Sequence, residues 1–137
     1  MKEFTWPTEV RFRDCDGLGH VNNAVYHSYI ESARTHWLDD VLQLGVFTEG
    51  RSIPIILAHT SIDYIQQIKL SDKVEIVCWL SSIGNKSFRQ VYEIRTKLGV
   101  AAKAEAVIVW FDFDKQKSCS IPETAKDSML PYLRSTN

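Results

Sequence analysis

The 137-residue chain is short of several features at once. Its three cysteines, Cys15, Cys78 and Cys119, stand far apart and form no CxxC pair. They are too few and too scattered for a disulfide framework or a zinc site, so reduced thiols are expected. Met1–Pro7 lacks the apolar run of a secretory signal. No window approaches the ~20 apolar residues of a membrane-spanning helix. Sixteen Lys and Arg against 17 Asp and Glu leave a net charge of −1. Binding to nucleic acid or a membrane surface through bulk charge needs an excess of cations, so neither partner is expected. There is no internal repeat and no Pro/Gly/Ser linker, which leads to one domain over residues 1–137, in the cytoplasm. No G-x-S-x-G, P-loop or dinucleotide fingerprint occurs. His20, His27, His36 and His59 fit no metal-ligand spacing, and no metal or cofactor is expected.

What the chain does have is pattern. Glu9–Arg13 alternates apolar and charged residues and reads as a short strand ending in a glycine-containing loop, Asp14–His20. Asn22 and Asn23 are good helix caps. Tyr26, Ile30, Ala33, Trp37, Val41 and Leu44 then recur at gaps of three and four, predicting one long helix closed by Gly45. The rest is strand-like: residues 53–68, 74–83, 87–96 and 101–113, separated by turn signals, with a short helical pattern reaching Leu133. These four strands are expected to form an antiparallel meander. Ala102, Ala104 and Ala106 share one face and leave room for the helix to lie against it. The fold class is therefore α+β, an antiparallel sheet wrapped around one central helix. Such a sheet leaves an edge open, and a homodimer is the simplest cover for it.

The chemistry concentrates just before the helix. Asp16 sits in a loop leading to a helix N-terminus, where unpaired N–H groups can stabilise a developing oxyanion. A nearby carboxylate can activate water or attack directly. Gly17 and Gly19 would let a substrate approach the backbone. The pairing suits hydrolysis of an activated acyl group such as a thioester. Ordinary turn and cap chemistry explains the same residues. His20 could orient Asp16 or a substrate, or make a structural hydrogen bond. Glu31, beside the apolar stripe, could pair with Arg34. Cys15 reads as a small core residue. In Gly84–Arg89, Lys86 and Arg89 are solvated turn cations or, with Ser87, ligands for a phosphate-bearing substrate.

The run Phe12–Asn23, with Tyr26 and the stretch Glu31–Arg34, resembles the signature of hotdog-fold acyl-CoA thioesterases of the 4-hydroxybenzoyl-CoA thioesterase-like family. The resemblance extends through Pro54 and Lys86–Phe88 to about Asp112. It implies an acyl-CoA thioesterase with Asp16 as nucleophile or general base. It further implies the Asn23 backbone N–H as the group polarising the thioester carbonyl. His20 matches a variable position and Glu31 an acidic position near the active site. Lys86, Ser87 and Arg89 match residues holding the nucleotide end of coenzyme A. The resemblance also implies a homodimer or homotetramer with its sites at the subunit interface. Tyr26, Tyr29 and Trp37 are candidates for an acyl pocket or for core. Alternatives are a non-catalytic acyl-CoA or acyl-carrier-protein binding module, or a hotdog dehydratase.

Overall fold

A computed structural model describes residues 1–50 and 52–134. The elements are β1 (Phe4–Glu9), α1 (Asn23–Asp40), β2 (Ile55–Tyr64), β3 (Lys73–Ile83), β4 (Ser87–Thr96), β5 (Gly99–Asp112), β6 (Lys117–Ser118) and α2 (Glu123–Met129). All strand pairs are antiparallel, in the order β1-β3-β4-β5-β2, with β6 added to the end of β5. This is the expected α+β hotdog layout.

The meander is shorter than expected. Only β3, β4 and β5 follow one another across the sheet. The turns at Gly84–Lys86 and at Lys97–Leu98 are tight and force hairpins. The β2–β3 connection runs from Ile65 to Asp72, long enough to carry β2 away to the far edge beside β5. The first strand also lies earlier than Glu9–Arg13. Phe4–Glu9 pairs with β3 from Phe4↔Cys78 to Glu9↔Lys73, and the ladder stops where β3 begins. Pro7 is tolerated because β1 is an edge strand. Beyond it, Phe12–Asp14 forms a 3-10 turn.

The helix begins as predicted. Asn22 caps it, its side chain accepting from the Ala24 N–H at 2.9 Å. It ends at Asp40, short of Gly45, giving 18 residues and a rod of ~27 Å. Gln43 and Gly45 both take positive φ, 53° and 68°, so the chain has already turned before Leu44. Tyr26, Ile30, Ala33 and Trp37 are buried, while Val41 and Leu44 are only half-buried past the helix end.

The core lies between α1 and the inner sheet face. Val74, Ile76, Cys78 and Leu80 of β3 and Phe88, Tyr92 and Ile94 of β4 are all buried there. Trp37 packs on Phe88 with ring centroids 5.6 Å apart, and the Arg34 guanidinium lies 5.6 Å from the Tyr92 ring centre. Truncating Trp37 to Ala would cost about 3–5 kcal/mol. Ala102, Ala104 and Ala106 belong to this core, but the helix backbone runs closest to β3 and β1, not over β5. Within the core, Tyr92 donates to Gln90 (2.6 Å) and Gln90 donates to Cys78 (3.5 Å). Burial pushes the Cys78 thiol up to about 12.

Strand β2 is the exception to this burial. Residues 56–61 and 63–64 are exposed, so both of its faces are open. Ile56, Leu57, Tyr64 and the following Ile65 are 36–52% exposed. No helix among the described residues is long and apolar enough to cross a membrane.

Candidate active site

Residues 14–23 fold into a small structure of their own. Cys15 and Val21 form an antiparallel bridge. Between them the Asp16 N–H donates to the His20 carbonyl (2.8 Å) and the Gly19 N–H to the Asp16 carbonyl (3.1 Å). Gly19 has φ +81°, a left-handed conformation that closes this turn at little cost only for glycine. The Asp16 carboxylate turns back on the loop, its Oδ1 accepting from the Leu18 N–H at 2.9 Å. Its Oδ2 has no protein partner among the described residues.

The hairpin is fixed on both sides. The Val21 N–H donates to the Ile68 carbonyl (2.7 Å), and His20 bridges to Lys69. The Asn22 N–H donates to the Asp14 carbonyl (2.9 Å). The helix therefore starts directly behind the hairpin. Asn22 satisfies the Ala24 N–H with its side chain and the Val25 N–H with its carbonyl. No acceptor among the described residues takes the Asn23 N–H. An unpaired donor at a helix start carries partial positive charge and favours a developing anion.

Asp16, His20, Asn22 and Asn23 line one cleft of about 300 Å³ with Leu18, Val21, Tyr26 and Gln67. Three of the sequence-predicted groups, Asp16, His20 and Asn23, thus come together in one chain. Sequence reasoning missed two contributors. Gln67 comes from the β2–β3 connection, and Tyr64 lies edge-on to Tyr26 at 5.1 Å while its hydroxyl donates to the Asn23 carbonyl at 3.2 Å. Nothing in their local sequence points to the site, because both arrive by the crossover of β2. Tyr26 serves as core and cleft wall, its hydroxyl donating to the Gln66 carbonyl (3.1 Å). Burial, first, pushes its phenol above the ordinary value. Tyr29 and Trp37 are core and line no part of this cleft.

The other predicted residues lie elsewhere. Glu31 is exposed on α1, ~12 Å along the axis from Asn23, and forms no ion pair with the buried Arg34. Lys86 is exposed and Ser87 half-buried at the start of β4. Arg89 Nη1 lies 2.6 Å from Glu105 Oε1. Ser87 and Ile56 both pair with Val109, whereas Tyr64 pairs with Ala102. The Lys86–Arg89 group therefore sits about 20 Å from the Asp16 cleft, at the opposite end of the ladder. Cys15 is half-buried against the core. No cluster of three His, Cys, Asp or Glu that could hold a metal occurs among the described residues.

Comparison with known proteins places the chain in a family. The long-chain acyl-CoA thioesterase FadM of Escherichia coli (strain K12) is 27% identical over 88% of this chain and 92% of its own. A 1,4-dihydroxy-2-naphthoyl-CoA hydrolase of Nostoc punctiforme is 26% identical over 88% and 82%. Among solved structures, a Thermus thermophilus thioesterase complexed with coenzyme A and zinc superposes with a TM-score of 0.82 at 30% identity, covering 93% of this chain and 92% of that one. A Bacillus stearothermophilus structure described as a predicted thioesterase reaches 0.89 at 23%, covering 99% and 100%, a likeness of fold. The model of the thioesterase-like superfamily matches residues 10–129, nearly the whole chain, so the protein belongs to that superfamily.

Proposed function

We propose that the chain hydrolyses acyl-CoA thioesters to the free acid and coenzyme A, with Asp16 and the Asn23 N–H as the working pair. Thioester hydrolysis is the chemistry of the superfamily to which the chain belongs. The finer reading rests above all on one observation. A carboxylate with a free oxygen and an unpaired helix-first N–H open onto the same cleft.

Asp16 takes a proton from water, and the resulting hydroxide attacks the carbonyl carbon. Alternatively, Oδ2 attacks directly, expelling the thiolate and leaving a mixed anhydride that water cleaves. Either way negative charge grows on the carbonyl oxygen, where the Asn23 N–H receives it. The C–S bond then breaks, and the departing thiolate takes up a proton, from the protonated Asp16 in the first route and from solvent water in the second, to leave as coenzyme A. His20 stands on the cleft wall, while Glu31, exposed farther along α1, stands outside this chain's cleft. Coenzyme A bound to a 30%-identical neighbour supports acyl-CoA as the substrate class.

The reading also assigns Lys86, Ser87 and Arg89 to the coenzyme's phosphates, and their distance from Asp16 implies a second copy. Antiparallel pairing of β2 with its counterpart, centred near His59–Thr60, would set Tyr64 beside the partner subunit's Ile55. It would bring the Asp16 cleft toward the partner subunit's Lys86. The exposed, apolar β2 edge supports a homodimer, which could pair further into a tetramer.

The test is Asp16→Asn assayed on a panel of acyl-CoAs. A folded variant should lose at least a hundredfold in kcat. Undiminished turnover would sink the mechanism, and binding without turnover by the parent protein would point to a non-catalytic acyl-CoA module instead.

A further inference from the structure

We propose that Asp14 and Tyr29 form a positioning pair that holds the Asp16 hairpin and the start of α1 in one fixed arrangement. The proposal rests on the reading of Asp16 and the Asn23 N–H as the hydrolytic pair.

Asp14 is tied in three directions. Its Oδ2 accepts from the Arg11 N–H at 2.9 Å and from the Tyr29 hydroxyl at 2.9 Å. Its carbonyl accepts from the N-cap residue, the Asn22 N–H, also at 2.9 Å. One residue thus joins the turn leaving β1, the base of the hairpin and the first residue of the helix cap. The hairpin's bridge starts at the next residue, Cys15, and Asp16 follows it.

Tyr29 supplies the lateral support. It is only 5% exposed and sits on the second turn of α1. Among the described residues its hydroxyl makes the one side-chain hydrogen bond from the body of α1 to residues 11–20. Burial, and then the Asp14 carboxylate, push its phenol above the ordinary value, so it remains a donor at neutral pH.

Asp14 does not belong to the Asp16 cleft. It lines a separate groove of about 350 Å³ on the β1 side with Arg11, Arg13, Tyr29, Ser28 and Ser32. It therefore acts through the hairpin and not on the substrate. Hydrolysis needs the carboxylate oxygen and the oxyanion donor held at a set spacing, and displacements of about 1 Å can cost ~10²-fold in rate. Loosening that spacing weakens the transition state more than the ground state, so the loss falls on kcat.

The experiment compares Tyr29→Phe, Asp14→Ala and Asp14→Asn. It measures kcat and KM on an acyl-CoA that the parent protein hydrolyses, and amide exchange at residues 16–23. Tyr29→Phe and Asp14→Ala should each lower kcat by about tenfold with KM within about twofold. Exchange of the Asp16 and Asn22 amides should quicken in both. Asp14→Asn keeps an acceptor oxygen and should recover much of the kcat that Asp14→Ala loses. Unchanged kcat in Tyr29→Phe and Asp14→Ala would overturn the proposal. So would an Asp14→Asn variant as slow as Asp14→Ala, because charge and not the hydrogen bond would then be acting. If the parent protein hydrolyses no thioester, the functional reading fails. Amide exchange then still decides the positioning role, which unaltered protection would refute.

Discussion

At the Tyr64 end of the β2–β5 ladder the backbone closes on itself. The hairpin bridges to Lys69, the Val21 N–H reaches Ile68, and Tyr64 reaches the helix start. The carboxylate and the helix-first N–H that the proposed mechanism uses both come from one chain. At the Ile55 end the picture is the reverse. Lys86 is exposed, Arg89 is held by Glu105, and the neighbouring strand edge is bare. In the proposed reading the first end carries the chemistry and the second the cations for the coenzyme's phosphates. A two-fold partner across β2 would bring the two kinds of end together.

The sharpest way to break this comparison is to spoil the bare edge. Leu57 is 46% exposed, so Leu57→Lys should cost the isolated chain little stability. Sedimentation should show the variant as a monomer, and its acyl-CoA turnover should fall about a hundredfold or more. A fully active monomer would show that one chain contains the whole site. Next in size, Lys86→Ala should raise KM for acyl-CoA by about tenfold, the worth of one charge-assisted contact. It should leave KM for an acyl N-acetylcysteamine thioester, which has no phosphates, where it was. An equal rise for both substrates would move the phosphate contacts elsewhere.

Legibility from sequence also divides along these lines. The loop, cap and helix start of residues 12–23 were legible because a turn, a cap and a helix start are local events, written within a dozen residues. The tight hairpins β3–β4–β5 were legible for the same reason. The position of β2 was not. Its Ile-rich pattern identified a strand but could not say which neighbour it would choose. The long connection to β3 permits several, and only packing on β5 decides. The helix end was misjudged because Val41 and Leu44 continue the apolar rhythm after the backbone has turned at Gln43.

Two smaller effects sharpen the contrast between the sealed core and the open edge. Cys78, Tyr29 and Tyr92 all have their ionised forms suppressed, mainly by burial. The unfolded chain releases those protons at lower pH than the folded one. Stability should therefore be full at neutral pH and decline above about pH 9, where thiols and phenols of the unfolded state begin to ionise. Thermal melts between pH 7 and 11 check this, and a melting temperature that stays flat to pH 11 would contradict it. Smallest of all, Glu105→Ala releases Arg89 from a pair whose side chains are 42% and 38% exposed. It should cost less than about 1 kcal/mol in denaturant unfolding.

By itself the sequence determined that this chain is a small α+β protein with one long helix, and that the Asp16 loop leads into that helix's start. Hydrophobic period, turn residues and caps act over a few residues and so can be read along the chain. The tertiary structure alone decided that Tyr64 and Gln67 reach the Asp16 cleft, that Tyr29 bonds to Asp14, and that Lys86 stands at the far end. Each of those facts depends on which strand lies beside which, and that choice is made by burial across the whole sheet.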